Sequence, residues 1–317
     1  MEYNKAVADM LPGMDVEGFY LISAASVKRT TAGKPFLACV ISDASGNIEA
    51  KAWDFNGVIR DSDNGKVVKI QGSVTEFRGA SQLTVNKFRF ADDRDAGHYD
   101  IADLVPTAPI SVDSALDDVR EIIDGIEDAD YRTVAETMLE RHLDAFKKIP
   151  AAKSVHHSFL SGLLMHTYNM MRLADYLAYQ YSEVIDRSLL ITGTLLHDFA
   201  KEREFTFSNL GLVTEYSVSG DLIGHLVMGA QEVAELSREL SIPAEKSMLL
   251  QHLILSHHGE PERGAAVVPK CAEAELLSFI DQIDSRMEIY AEAFEGMDVG
   301  TFSPRIFALD KRIYRHR

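Results

Sequence analysis

Between Val16 and Phe90 apolar and polar positions alternate in short runs: "GFYLISAASVKRT", "PFLACVIS", "IEAKAWDF", "GKVVKIQGSVTEF" and "SQLTVNKFRF". A period of two in β-branched and aromatic residues turns one face of each run to a core and the other to water, as half-buried strands require. The runs are separated by "TAGKP", "DASGN", "DSDNG" and "RGA", whose Gly, Asn, Asp and Pro supply the backbone geometry of chain reversal. Five short antiparallel strands in about 75 residues match an OB-type barrel, and an SH3-like barrel would give similar spacing.

The next stretch, "ADDRDAGHYDIADLVPTAPISVD", is acidic, holds two prolines and has no periodicity. It is expected to connect two domains. Beyond it the period becomes helical: Ser111 is placed to cap "VDSALDDVREIIDGI", and further helices are expected over roughly 130–147, 158–180, 186–200, 220–240, 244–258 and 271–293. "FTFSNLGLVTEYSVSGD" interrupts them as a small hairpin. The pattern therefore predicts a small all-β OB-like barrel over 1–95, a linker over 96–112 and an all-α helical bundle over 113–317.

One of these helices poses a chemical question. "LLITGTLLHDFAKEREF" reads as an interior helix until it ends on His197, Asp198 and Lys201, and burying an unpaired carboxylate or ammonium costs several kcal/mol or more. A metal ion, or a phosphate held by one, would compensate them.

Composition narrows the setting. With 46% hydrophobic and 26% charged residues the chain is of ordinary globular type. It shows no basic leader with an apolar run and no apolar stretch of membrane-spanning length, so a cytoplasmic protein is expected. Its two cysteines, Cys39 and Cys271, lie far apart, against a disulfide framework or a cysteine-rich zinc site. The net charge of -17 argues against a general nucleic-acid coat protein. The excess is uneven, because residues 1–90 carry a net +1 and the remainder -18.

Most of the eleven histidines crowd between His156 and His258, five of them in or beside the pairs His156-His157, His197-Asp198 and His257-His258. Five pieces align: His166 in "GLLMHTYNMM", His197-Asp198, His225 in "GDLIGHLVMG", His257-His258 in "LILSHHGE", and Asp281 in "LLSFIDQID". Each lies on an expected helix or at its end among apolar residues, the way helical bundles build metal sites in their cores. Adjacent helical residues point about 100° apart, so His197 and Asp198 can serve one ion only near a helix end, or else serve two neighbouring ions. His257 and His258 likewise converge only where the helix stops, and Gly259 is the residue to stop it.

The order H, HD, H, HH, D resembles the HD-domain superfamily of metal-dependent phosphohydrolases, and "HDFAK" looks like its HD-x-x-K variant. Nearly the whole chain is similar to the YhaM-type 3′→5′ exoribonucleases, which join an OB domain to an HD domain. The closer likeness is carried by "PAAKSVHHSFLSGLLMHT", "LLHDFAKEREF", "GDLIGHLVMG", "LQHLILSHHGEPERG", "EAELLSFIDQIDSRM" and "FSPRIFALDKRIYR". The resemblance implies that His166, His197, Asp198 and Asp281 hold one ion and that His225, His257 and His258 hold a second, with Asp198 shared. It implies two divalent ions of the manganese type; imidazole and carboxylate donors also suit iron, cobalt or zinc. Lys201, three residues past Asp198, would meet a phosphate oxygen.

The implied activity is hydrolysis of single-stranded RNA, with single-stranded DNA as a further substrate, to 5′-nucleotides. Two ions about 3.5–4 Å apart would activate a bridging water and neutralise the transition state. His156 and His157 belong to the similar segments and are candidates to face substrate or to support the fold. Arg263 and Glu260 are candidates for the substrate entrance, with a solvated loop as the plainer reading. In the barrel, Phe36, Lys51 and Trp53 could share an exposed face that stacks bases and meets phosphate, or Phe36 and Trp53 could be core. His98, His142, His252 and His316 are expected to have no site role, and a homo-oligomer is compatible with the sequence. Two other readings stay open: an HD phosphohydrolase of a small or cyclic nucleotide, and an RNA-binding protein whose HD site is vestigial.

Overall fold

The computed structural model describes residues 2–53, 55–60, 63–77, 79–152, 159–208, 210–295 and 297–317. By contacts the chain divides into two compact units, Met1–Thr107 with Phe207–Leu212, and Ala108–Thr206 with Val213–Arg317.

The first unit is built from β1 (Glu2–Tyr3), β2 (Asp15–Arg29), β3 (Pro35–Asp43), β4 (Gly46–Trp53), β5 (Val67–Phe77) and β6 (Ala80–Phe90) in the order β1-β2-β3-β4-β6-β5, with β5 pairing back onto β2. That last pairing closes β2–β6 into a five-stranded OB-like barrel, in which β4 and β6 run parallel. Alternation sends Leu37, Cys39 and Ile41 of β3 and Ile48, Ala50 and Ala52 of β4 into one core with Val16, Tyr20, Val68, Ile70 and Leu83. β2 serves two neighbours. Its first half pairs with β5 and its second with β3, and the register shifts at a bulge between Ser23 and Ser26, which bends the strand around the barrel.

Part of the stretch expected to be a connector lies against this barrel. Tyr99 stacks on Phe19 at 4.9 Å, Asp100 caps the one-turn helix α1 (Ile101–Leu104), and the Asp103 carbonyl accepts from the Ala44 amide.

The second unit is helical: α2 (Val112–Asp124), α3 (Ala129–Phe146), α4 (Gly162–Gln180), α5 (Arg187–Leu196), α6 (Lys201–Glu204), α7 (Val218–Ile223), α8 (His225–Glu239), α9 (Ala244–Ser256) and α10 (Ala272–Glu295). A small hairpin, β7 (Phe205–Phe207) with β8 (Val213–Tyr216), follows α6, and another, β9 (Thr301–Phe302) with β10 (Tyr314–Arg315), follows α10. α5 is the axis of the bundle. Every residue from Ser188 to Leu196 is buried, against α2, α3, α4, α9 and α10, so its apolar character extends all round as an interior helix demands. Each of its leucines contributes about 1.5–3 kcal/mol by leaving water.

Two expected helices are broken. The one over 220–240 divides into α7 and α8 at Gly224, whose φ of +78° is open to glycine and not to a helical residue. The one over 186–200 stops at Leu196 and resumes at Lys201, leaving His197 to Ala200 in a turn. Both breaks set a histidine at a helix end. Among the described residues no helix is long and apolar enough to cross a membrane.

Candidate metal centre

Helix ends deliver most of the site. His197 and Asp198 follow the last residue of α5, Lys201 opens α6, His225 opens α8, and His257 and His258 follow α9. The turn after α9 runs through Gly259, whose φ is +82°. His166 and Asp281 project from within α4 and α10.

These residues gather into two groups, His166 with His197 and Asp198, and His225 with His257 and His258, each with its donor atoms within 4.8 Å of one another. Asp198 turns one oxygen to each. Oδ2 lies 3.2 Å from His197 Nε2 and 3.9 Å from His166 Nε2, while Oδ1 lies 3.4 Å from His225 Nε2 and 3.7 Å from His257 Nε2. Asp281 Oδ1 joins the first group, 3.4 Å from His166 Nε2. Lys201 Nζ donates to Asp198 Oδ2 at 2.6 Å.

Four imidazoles are anchored through Nδ1. His197 and His257 donate to the carbonyls of Thr194 and Ile254 at 2.7 and 2.8 Å; because a carbonyl only accepts, these Nδ1 atoms carry the proton. His166 Nδ1 is 2.7 Å from Asp284 Oδ2 and His225 Nδ1 is 2.8 Å from Glu204 Oε1. Partners of this kind fix the ring so that Nε2 faces the centre.

Electrostatics follow from burial and company. Burial pushes the Asp198 carboxyl up, but Lys201 and His197 outweigh it and hold the group well below the usual carboxylate range. Burial pulls His166 down, yet the hydrogen bonds to Asp281 and Asp284 lift it to about 9. His257 is held well below its ordinary value by burial and by His258 and His197, so it is neutral with a free Nε2 lone pair. Burial also depresses His258. Lys201 is raised, since Asp198 outweighs the cost of burying it.

Among the described residues, Asp198 Oδ1, His225 Nε2 and His258 Nδ1 are buried with no hydrogen-bond partner. Buried polar atoms are ordinarily satisfied, and orphans of nitrogen and carboxylate type, with Asp198 Oδ1 and His225 Nε2 3.4 Å apart, fit a divalent transition-metal ion.

The other candidates are placed less closely. Arg263, in a short turn after His258, is half exposed and donates to Gln282, the neighbour of Asp281, with Glu260 4.0 Å away. His156 and His157 lie outside the described residues. On the barrel, Phe36 and Trp53 do not enter the core. They pair across β3 and β4 on the outer face with ring centroids 5.0 Å apart, and Lys51 Nζ lies 5.8 Å from the Trp53 ring and 4.8 Å from that of Phe77.

Phe77, Glu204 and Asp284 were not singled out as such by pattern. Phe77 sits on a different strand, and Asp284 and Glu204 act through tertiary contacts; by spacing alone Asp284, one turn from Asp281, reads equally as a surface or capping carboxylate. His142, expected to be inert, is a buried ion-pair centre: its ring nitrogens lie 2.6 Å from Glu202 and 2.9 Å from Glu232.

The HD domain family matches residues 163–286. Over 306 residues, 95% of this chain and 93% of the relative, the sequence is 36% identical to the 3′-5′ exoribonuclease YhaM of Shouchella clausii (strain KSM-K16). Among solved structures, the second OB-fold domain of replication protein A from Methanococcus maripaludis is similar over 29% of this chain and 97% of its own, at 12% identity and a TM-score of 0.24. An OB domain from Thermoplasma acidophilum is similar over 28% of this chain and 85% of its own, at 18% identity and a TM-score of 0.23. With an OB-like barrel ahead of a helical HD domain and this likeness along almost its entire length, the chain belongs to the YhaM 3′-5′ exoribonuclease family.

Proposed function

We propose that this member of a family of ester-bond hydrolases is a metal-dependent exonuclease that shortens single-stranded RNA from the 3′ end to 5′-nucleotides, with single-stranded DNA as a further substrate. Residues 1–95 are its strand-holding domain and 113–317 its hydrolytic domain. The observation that carries the reading is the Asp198 carboxylate, buried between two histidine groups with one oxygen turned to each.

His166, His197, Asp198 and Asp281 would hold one divalent ion, and Asp198, His225, His257 and His258 a second. Manganese is the proposed ion, and the donors equally suit iron, cobalt or zinc. Such ions supply, when bound, an activated water and neutralisation of charge on the phosphodiester. Lys201, held beside Asp198, donates to a phosphate oxygen of the substrate and stabilises the charge that builds during attack. Phe36, Trp53 and Phe77 stack on bases while Lys51 meets the backbone. Arg263, and His157 ahead of α4, contact the strand near the entrance.

The test is hydrolysis of one single-stranded RNA labelled at either end, with each ion in turn. A 5′ label should report a ladder shortening from the 3′ side, and a 3′ label should leave at once as a mononucleotide. Turnover of small or cyclic nucleotides with RNA left intact would replace the proposal by a small-molecule phosphohydrolase.

A further inference from the structure

The helical unit is strongly acidic, yet its last seventeen residues are basic. Residues 108–300 hold 15 Lys+Arg against 33 Asp+Glu, whereas residues 301–317 hold five against one. Phosphate repels the first surface and is attracted by the second.

This basic segment is folded. Leu309 and Ile313 bury themselves with Ile289 of α10, and Tyr290, Ala293, Phe294 and Met297 pack around them. Arg315 donates to the carbonyls of Phe294 and Met297, binding β10 to the end of α10. Its aromatic side chains are left outside: Phe302 is 58% exposed and Phe307 97%. Phe302 and Tyr314 pair across the hairpin with ring centroids 4.9 Å apart. Arg312 covers the Phe302 ring at 5.1 Å, and Lys311 lies 5.6 Å from the Tyr290 ring. Among the described residues, Arg305 is the only cation of this segment in an ion pair, with Asp310.

We infer that the β9–β10 hairpin is a second single-strand contact surface, in which Phe302, Phe307 and Tyr314 offer faces to bases and Lys311 and Arg312 neutralise backbone phosphates. The inference rests on the exonuclease reading above for its choice of polyanion. Aromatic faces interleaved with unpaired cations are what a single strand needs, whatever its sequence. The location is also fitting. α10 carries Asp281 and, thirteen residues later, Phe294 under the hairpin, a distance of roughly 20 Å along the helix axis at about 1.5 Å per residue. One rigid element thus joins the candidate metal centre to a basic segment of an acidic unit.

The test uses the full chain, stripped of metal so that RNA is bound and not consumed, with a fluorescein-labelled oligouridine titrated at several salt concentrations. K311E/R312E should weaken binding by about tenfold or more and lower the salt slope by about 1.4, since each phosphate contact on a single strand contributes about 0.7. F302A should weaken binding without changing the slope. K311Q/R312Q, which introduces no new charge, should give the same loss of slope and stands in if the reversal disturbs folding. Unchanged affinity and slope in these variants would overturn the inference. So would an altered oligomer mass with RNA affinity intact, which would assign the surface to a second copy of the chain. Selective loss of binding supports it even where the wild type hydrolyses nothing with any ion, a result that counts against the exonuclease reading alone.

Discussion

Glu204 holds His225 twice, its Oε1 accepting from the backbone amide at 3.0 Å and lying 2.8 Å from ring Nδ1. The carboxylate stays ionised: burial raises it, but the hydrogen bond to His225 outweighs that. One residue of α6 therefore sets both the start of α8 and the aim of the imbedded imidazole. Replacing it with alanine should lower divalent-ion affinity by about 10–100-fold, the usual cost of losing a partner behind a ligand. Glu204→Gln, which still accepts, should recover part of it. Calorimetric titration of the metal-free protein reads this directly, and an unaltered isotherm for the alanine variant would remove Glu204 from any positioning role.

Lys201 spans only one bond between the buried Asp198 and the space beside it. If its ammonium acts on substrate, Lys201→Ala should keep its metal content and lose about 10²–10³-fold in kcat, the size expected for a strong electrostatic stabiliser. Elemental analysis alongside single-turnover rates separates the possibilities. Full activity would leave Lys201 as no more than a counter-ion for Asp198.

His142 gives a pH dependence of stability. Burial lowers its pKa, but Glu202 and Glu232 raise it more, to about 9 from the ordinary 6.5. A group raised on folding stabilises fully below its unfolded value and loses that contribution as pH climbs through its folded value. Wild type should therefore lose up to about 3 kcal/mol between pH 6.5 and 9, at about 1.36 kcal/mol per unit. Partial solvation of Glu202 reduces that figure. Urea unfolding of wild type and His142→Phe should differ most near pH 6 and converge above pH 9; a constant gap would contradict the ion-pair origin.

The aromatic face of the barrel can be removed at small structural cost, since Trp53 and Phe77 are 49% and 48% exposed. Each change to alanine should weaken single-stranded RNA binding by about 1–3 kcal/mol, while melting temperature stays nearly constant. Fluorescence anisotropy decides it, and undiminished affinity would take the strand off this face.

What the sequence reveals depends on the range of the interaction. The barrel strands and most helix limits follow from local periodicity, so β3, foreseen at 35–42, occupies Pro35–Asp43. The convergence of His197 with Asp198, and of His257 with His258, is legible because adjacent residues turn to one place only at a helix end; that His166, His225 and Asp281 join them is implied by the family resemblance and not by spacing. The break at Gly224 was obscured because apolar periodicity continues through it and one backbone angle ends the helix. The anchors of the imidazoles, Glu204, Asp284 and the carbonyls of Thr194 and Ile254, belong to packing between elements, which no spacing rule encodes. Phe77 is hidden for the same reason: it meets Lys51 only because β5 and β4 flank β6 in the sheet.

Trp53 is the chain's single tryptophan, and it lies on the outer face of the barrel against Phe36. The protein therefore carries its own fluorophore, confined to one unit, while the helices of the other dominate the far-ultraviolet circular dichroism. A melt followed by indole emission and by ellipticity together reads the two units separately in unlabelled protein. The same emission, quenched when a base lies over the indole, reports strand occupancy in real time.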